Sequence, residues 1–365
     1  MEFLRPNLTW VGNRCYRTSS TFFGSNTCER DNTDTPYEFD DTQERKSDYI
    51  DEPCEDIEDI HVEELPDNSF RTTISIPNTL FKFIIGTKGM TKKRIEAETR
   101  TKIIIPKPKV EDDIVIKGVD KKGVTSAYTR LSIIADSSRQ KQMFTHFISI
   151  PLTNENIEKN FETFKENVLQ HCFENQNIDS SLFQNALKLH FTVGTLVLLN
   201  DADRSRATDL LHECKDEIIM PLIHGYSKSL CLKGLEYMND DPSEVDVLYA
   251  KVLPSNSSNL LPSLQVIVDH IAEKFKRSGL MIKQYDHVKI HATIMNTLFR
   301  SEKDKSDSDK SRGFKTRECF NANMIMQKYK EFEFGEIMWN EVHLSQRYTT
   351  AQSGYYKATA KIDLV

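Results

Sequence analysis

No apolar run in the sequence approaches the ~18 residues that a membrane-crossing helix needs. The best is the short stretch Leu196–Leu199. A secretory leader is not expected either, because Glu2, Arg5 and Pro6 stand where its apolar core would be. There is no Cys-x-x-Cys pair. The seven cysteines, at 15, 28, 54, 172, 214, 231 and 319, are an odd and scattered set. They point to reduced thiols in an intracellular compartment and away from a disulfide framework or a structural zinc. Apolar residues are scarce, at 38% against 28% charged. That is little for a single compact body of 365 residues, and at about 150 residues per domain the length suggests between two and three units. One or two cores and a solvated tail fit these limits; membrane and secreted classes are set aside.

Charge is present in two opposed blocks. From Glu29 to Asp67 there are 17 acidic residues against 3 basic ones, a balance of −14. From Arg71 to Lys141 there are 16 basic against 7 acidic, a balance of +9. The acidic block is poor in aliphatic residues and keeps no helical or strand period, so residues 1–67 are expected to be a largely disordered acidic tail. Such a tail either solubilises the chain or competes with nucleic acid for the basic block. Its first segment differs: Phe3-Leu4-Arg5-Pro6, Trp10-Val11 and Tyr16 are apolar and aromatic, suited to a partner groove or to capping the chain's own domain. A second low-complexity stretch opens at Ser301 and predicts a flexible insertion over 301–312. Elsewhere after residue 142, helical spacing (Ile157, Phe161, Phe164, Val168; Ala207, Leu211, Cys214; Leu264, Ile267, Ile271, Phe275) alternates with strand patterns at 144–152, 187–193, 245–252, 288–294 and 341–348.

The basic block reads strand, helix, Gly86-Thr87-Lys88-Gly89, helix, strand, strand, helix. Glycines at i and i+3 allow a phosphate backbone to approach main-chain N–H groups without a Cβ in the way. The following helix adds its N-terminal partial charge there, and Lys88, Lys92 and Lys93 add full charges. A lone GxxG is a weak signal; the complete order over 68–140 is a strong one. It resembles a type I KH domain, whose GxxG loop clamps about four nucleotides of single strand. The resemblance implies RNA binding at Gly86, Thr87, Lys88, Gly89, Lys92 and Lys93, and leaves DNA open.

Two strand patterns repeat one another: Leu187-Lys188-Leu189-His190-Phe191-Thr192-Val193 and Val288-Lys289-Ile290-His291-Ala292-Thr293-Ile294. Alternation puts Lys188, His190 and Thr192 on one face and the apolar residues on the other, and likewise for Lys289, His291 and Thr293. Breaking a phosphodiester needs a base for the attacking oxygen and an acid for the leaving one. Two histidines supply both without a metal, and each threonine can hold a phosphate oxygen. A single His-x-Thr means nothing, but two inside matching strands are specific. They resemble the two-histidine (2H) phosphoesterase family, which implies a bilobed α/β body over 142–365 with two antiparallel sheets flanking a cleft. That resemblance implies catalytic roles for His190 and His291 and phosphate binding by Thr192 and Thr293, with no cofactor and no metal. Which histidine is the base stays open.

Further residues have two readings. His343, Ser345 and Arg347 alternate on one strand and either line the same cleft or form a solvated face, with Arg347 suited to another phosphate. Lys188 and Lys289 either steer the anion or sit at the rim. Tyr348, Tyr355 and Tyr356 either stack on a base or cover a core edge. His171-Cys172 and His212-x-Cys214 lack further ligands at metal spacing and read as packing residues.

With Phe3-Leu4-Arg5-Pro6, Glu236-Tyr237-Met238-Asn239-Asp240-Asp241-Pro242 and Asn296-Thr297-Leu298-Phe299-Arg300, the KH and 2H pairing resembles the subunit 1 family of the activating signal cointegrator 1 complex. That likeness implies helicase and ubiquitin-binding subunits as partners, a part in transcriptional coactivation and alkylation-damage repair, and a nuclear place with cytoplasmic presence open. Two functions are expected from different classes. One is an RNA phosphodiesterase fed by the KH loop; the other is a catalytically silent RNA-binding scaffold.

Overall fold

The computed structural model describes residues 7–11, 14–18, 60–107, 112–172, 176–255, 264–282, 287–303 and 318–364. It divides into two units, Met1–Lys141 and Gln142–Val365. The apolar start Phe3–Pro6 and the acidic stretch 19–59 lie outside the described residues. Strands β1 (Asn7–Val11) and β2 (Arg14–Thr18) pair antiparallel within the segment expected to be a largely disordered tail.

In the first unit β3 (Glu63–Glu64) and β4 (Phe70–Ile74) lead into α1 (Phe81–Ile85), the glycine loop and α2 (Met90–Thr99). Strands β5 (Thr101–Ile104) and β6 (Ile114–Gly118) and helix α3 (Lys121–Gln140) follow. The antiparallel sheet runs β3-β4-β6-β5, so its first strand starts before residue 68. Helix α3 begins where Asp120 accepts a hydrogen bond from the Gly123 amide at 2.6 Å. Its Val124, Ala127 and Leu131 are fully buried, as are Leu80, Ile84, Ile114 and Ile116. The four-residue and two-residue periods of the sequence therefore meet in one core.

The second unit opens with β7 (His146–Pro151), α4 (Glu155–His171) and β8 (His190–Leu196). Helix α5 (Asp201–Cys214) runs through a π turn into α6 (Met220–Ile223), and then come β9 (Ser229–Tyr237), β10 (Val247–Pro254), α7 (Leu264–Arg277) and β11 (His291–Asn296). Helices α8 (Thr297–Lys303) and α9 (Asn323–Tyr329) precede β12 (Glu333–Met338), β13 (Glu341–Thr350) and β14 (Tyr356–Asp363). Of the expected insertion, Ser301–Lys303 continue α8, and 304–317 fall outside the described residues. No described helix is long and apolar enough to cross a membrane.

One curled antiparallel sheet orders these strands β12-β9-β10-β11-β8-β7-β13-β14. It consists of two four-stranded halves that join at a single pair, Phe191 against Ala292. The expected two sheets are thus continuous through one point of contact. The halves repeat a strand–helix–strand unit, β7-α4-β8 and β10-α7-β11, and each unit ends in a His-x-Thr strand. Phe161 and Phe164 of α4, Ile267, Ile271 and Phe275 of α7, and Phe191, Ala292 and Phe334 are all fully buried. The histidines and threonines that flank Phe191 and Ala292 in sequence must then lie on the opposite face.

The strand patterns at 187–193 and 288–294 begin later than expected. Ala186–Lys188 form a 3-10 turn, held by Asn185 Oδ1 accepting from the Leu187 amide at 2.9 Å. Leu187, expected in the core, is exposed. The Val288 amide donates to Asp269 of α7 at 2.8 Å, outside any ladder. Both strands start at the histidine itself, because side-chain acceptors capture the preceding amides.

Candidate active site

The late start of each strand shapes both histidines alike. His190 Nδ1 lies 2.7 Å from the Lys188 carbonyl, and His291 Nδ1 lies 2.6 Å from the Lys289 carbonyl. A carbonyl can only accept, so each Nδ1 carries the proton and each Nε2 presents its lone pair. Antiparallel pairing of Phe191 with Ala292 puts His190 across from Thr293, and Thr192 across from His291. A local twofold axis therefore passes between two imidazole–hydroxyl pairs. All four side chains are half-buried, and neither threonine hydroxyl has a hydrogen-bond partner among the described residues.

The walls differ on the two sides. His190 sits among three rings, with centroids at 5.2 Å (Phe147), 5.3 Å (Tyr356) and 6.4 Å (Tyr355). His291 meets Tyr249 at 5.2 Å, whose hydroxyl donates to Glu236 at 2.7 Å. Lys188 and Lys289 do not share a strand face with the histidines, because the alternation stops upstream of each motif. They return to the site by another route. Lys188 Nζ lies 4.9 Å over the Tyr356 ring and donates to Thr350 Oγ1 at 2.9 Å; Lys289 Nζ lies 4.7 Å over Tyr249. Each histidine thus has an aromatic wall capped by a cation. Sequence reasoning missed Phe147 and Tyr249, whose place depends on strand pairing that no local pattern encodes.

Burial among these rings lowers the His190 pKa to about 4; the neighbouring His291 adds to this and the Lys188 carbonyl opposes it. Burial also lowers His291, with Lys289's charge in the same direction and its carbonyl against. His146 is different in kind: Thr145 and Thr359 occupy both of its nitrogens at 2.9 and 3.1 Å, and burial, then Arg204, lowers it to about 4. The folded values of His146 and His190 lie below the ~6.5 of an unfolded histidine. Stability is therefore fully present above that value and is lost as pH falls toward 4. Between about pH 6 and 4.5 two such groups lower stability by up to about 2.7 kcal/mol per pH unit. Urea unfolding followed by buried Trp339 should show this slope, and His146→Asn should remove about half of it. A flat profile from pH 7 to 5 would refute it.

Three cleft candidates on β13 separate. His343 and Ser345 are 4% and 0% exposed, so they do not line an open cleft. Tyr355 covers them: its ring lies 5.5 Å from His343, and its hydroxyl donates to Ser149 Oγ at 3.0 Å, which is 2.9 Å from Ser345 Oγ. His343 pairs instead with Glu341 at 2.5 Å. Arg347 remains half-buried between Phe144 and Tyr348. Among the described residues no cluster of His, Cys, Asp or Glu is placed to hold a metal ion.

In the first unit the glycine loop has the backbone its sequence requires. Gly86 (φ 67°, ψ 177°) ends α1 with its amide donating to the Lys82 carbonyl at 2.9 Å, and Gly89 (φ 78°, ψ 15°) starts α2 with no side-chain cap. The Gly89 amide donates to the Gly86 carbonyl at 3.1 Å and the Met90 amide to the Thr87 carbonyl, so the loop closes on itself as α2 begins. Thr87, Lys88 and Lys93 are exposed, and Lys88 and Lys93 form no ion pair among the described residues. Lys92 is half-buried and lies 3.5 Å from Glu96. Ile85 and Met90 expose apolar surface on the two helices that flank this loop.

Comparison with known proteins matches this chain to the KH domain family over residues 71–132 and to the AKAP7 2'5' RNA ligase-like domain family over 144–364. It is 39% identical over 369 residues to the mouse (Mus musculus) activating signal cointegrator 1 complex subunit 1, covering 100% of this chain and 99% of the relative. The chain belongs to the activating signal cointegrator 1 complex subunit 1 family. This subunit 1 family member is also 25% identical over 223 residues to an uncharacterised protein of Schizosaccharomyces pombe, covering 60% of this chain and 95% of that one. Among solved structures, the first KH type I domain of human vigilin matches 24% of the chain and 84% of its own length, at 26% identity and a TM-score of 0.20. This subunit 1 family chain therefore holds a KH domain and a 2H phosphoesterase-like domain.

Proposed function

We propose that the protein binds single-stranded RNA through the KH loop and breaks a phosphodiester at the seam between β8 and β11. The observation that carries this is the matched geometry of the two histidines, each with Nδ1 on a carbonyl two residues back and Nε2 open beside a free threonine hydroxyl. One Nε2 takes the proton of the attacking hydroxyl as its oxygen bonds to phosphorus. The other gives a proton to the leaving oxygen as the old P–O bond breaks. Thr192 and Thr293 donate to the non-bridging oxygens, where charge gathers. Both imidazoles are held neutral in the free protein, so the bound phosphate anion must raise one pKa to arm the acid.

If the attacking group is a ribose 2′-hydroxyl, the product carries a 2′,3′-cyclic phosphate and DNA is spared. Full-length protein incubated with single-stranded RNA in excess chelator should shorten it, and end-group analysis should identify the new terminus. Retained RNA binding without turnover, across RNAs with free, phosphorylated and cyclic ends, would leave the silent scaffold as the answer. The relative's name is that of a subunit of a cointegrator complex, and we propose that this chain likewise works in such an assembly, in the nucleus and with helicase and ubiquitin-binding subunits; co-purification of the tagged full chain from nuclear extract tests this.

A further inference from the structure

The geometry points to a second nucleotide position at the margin of the sheet face that carries the histidines, built from Arg347 and the Phe144 and Tyr348 rings packed against it. It would take the base and phosphate of a nucleotide neighbouring the one at the seam. The inference rests on the reading of that seam as an RNA site, and it narrows the substrate to an internal linkage of a single strand.

Arg347 lies on β13, two residues beyond Ser345, which pairs with Phe147 of β7. By alternation Arg347, Ser345 and Phe147 share the face of Ser149 and Thr192, which are themselves paired. The guanidinium carbon is 4.0 Å from the Phe144 ring centroid and 4.8 Å from that of Tyr348. An aromatic path then leads to the seam: Phe144 to Phe147 at 6.5 Å, and Phe147 to His190 at 5.2 Å.

Two features of this stack do nothing for the fold. Arg347 Nη1 is buried without a hydrogen-bond partner among the described residues. Leaving a charged donor unmade costs stability, and a protein that needed only packing there would fare better with an apolar side chain. Tyr348 is 72% exposed, so its ring contributes little burial. Both features suit a ligand. A guanidinium packed against aromatic rings can turn its N–H fork to two phosphate oxygens, which would give the unpaired Nη1 a partner, and the open tyrosine face accepts a base of any identity. An acidic peptide would use the cation but not the stacking face.

The test uses the full chain carrying Thr87→Asp and Lys88→Asp, which silences the KH loop as a competing site. Two uncleavable probes, 2′-O-methyl diuridylate and 2′-O-methyl pentauridylate, are titrated by fluorescence anisotropy. In Arg347→Ala and in Tyr348→Ala, pentamer binding should weaken by about tenfold or more, while dimer binding stays within twofold. Arg347→Lys should not restore it, since an ammonium lacks the planar fork. Tyr348→Ala removes an exposed ring, so its result stands even if the arginine variants fold poorly. Equal loss for both probes, or no loss for either, overturns the inference. Failure of the seam reading looks different: dimer affinity would then be indifferent to His291→Ala, whatever Arg347 does.

Discussion

Single-stranded RNA turnover by the full chain should fall by about three orders of magnitude or more in His190→Ala, and by a similar factor in His291→Ala. The two roles are complementary halves of one proton transfer. Removing either leaves a base without an acid or the reverse, so the double variant should be hardly worse than either single one. Thr192→Val and Thr293→Val keep the shape but remove a donor aimed at developing charge, and each should cost about 10²-fold. RNA binding should survive all four substitutions, because the KH loop lies in the other unit. The pH profile supplies an internal check. Burial holds both imidazoles neutral at pH 7, with His190 down at about 4, so phosphate binding must draw in a proton. Affinity for an uncleavable phosphodiester should therefore fall as pH rises through the pKa of the bound state. Retention of more than about a tenth of wild-type rate by either histidine variant would exclude the paired acid–base reading.

Those four residues were legible because their signal is local. Phe191 and Val193, like Ala292 and Ile294, alternate with the polar positions, and alternation is a property of a few neighbouring residues. The glycine loop was legible for the same reason, as two glycines between two helical patterns. What could not be read depends on distant partners. The pairing of Phe191 with Ala292, which brings the motifs together, joins residues 101 positions apart in the sequence. His343 and Ser345 obey the same alternation as a cleft-lining strand and are nonetheless covered, because the turn before β14 brings Tyr355 over them. Leu187 and Lys188 obey it too, yet the Asn185 side chain draws them into a turn. A period of two states which residues share a face; it does not state what covers that face.

The two glycines of the KH loop should respond to substitution in opposite ways. A Cβ on Gly86 would stand 2.2 Å from Thr91 Oγ1, 2.8 Å from Thr91 Cβ and 3.0 Å from the Thr91 backbone nitrogen, so rotating the threonine cannot relieve it. Its φ of 67° with ψ of 177° is, besides, a region nearly closed to residues with a Cβ. Strain and overpacking together make Gly86→Ala cost roughly 3–5 kcal/mol of local stability. Gly89 has φ 78° and ψ 15°, left-handed but tolerated, and a Cβ there meets nothing within 4 Å. Gly89→Ala should cost only about 1 kcal/mol. The space beside Gly89 is where a phosphate backbone must come close to the amides of α2, so a methyl group there should weaken RNA binding while the domain stays folded. Amide exchange at buried Ile84 and Ile95 separates the two effects. Gly86→Ala should speed exchange at both by at least about a hundredfold, whereas Gly89→Ala should speed it by no more than about tenfold and still lose RNA affinity. If Gly89→Ala binds RNA as the wild type does, the loop does not hold the strand through its backbone.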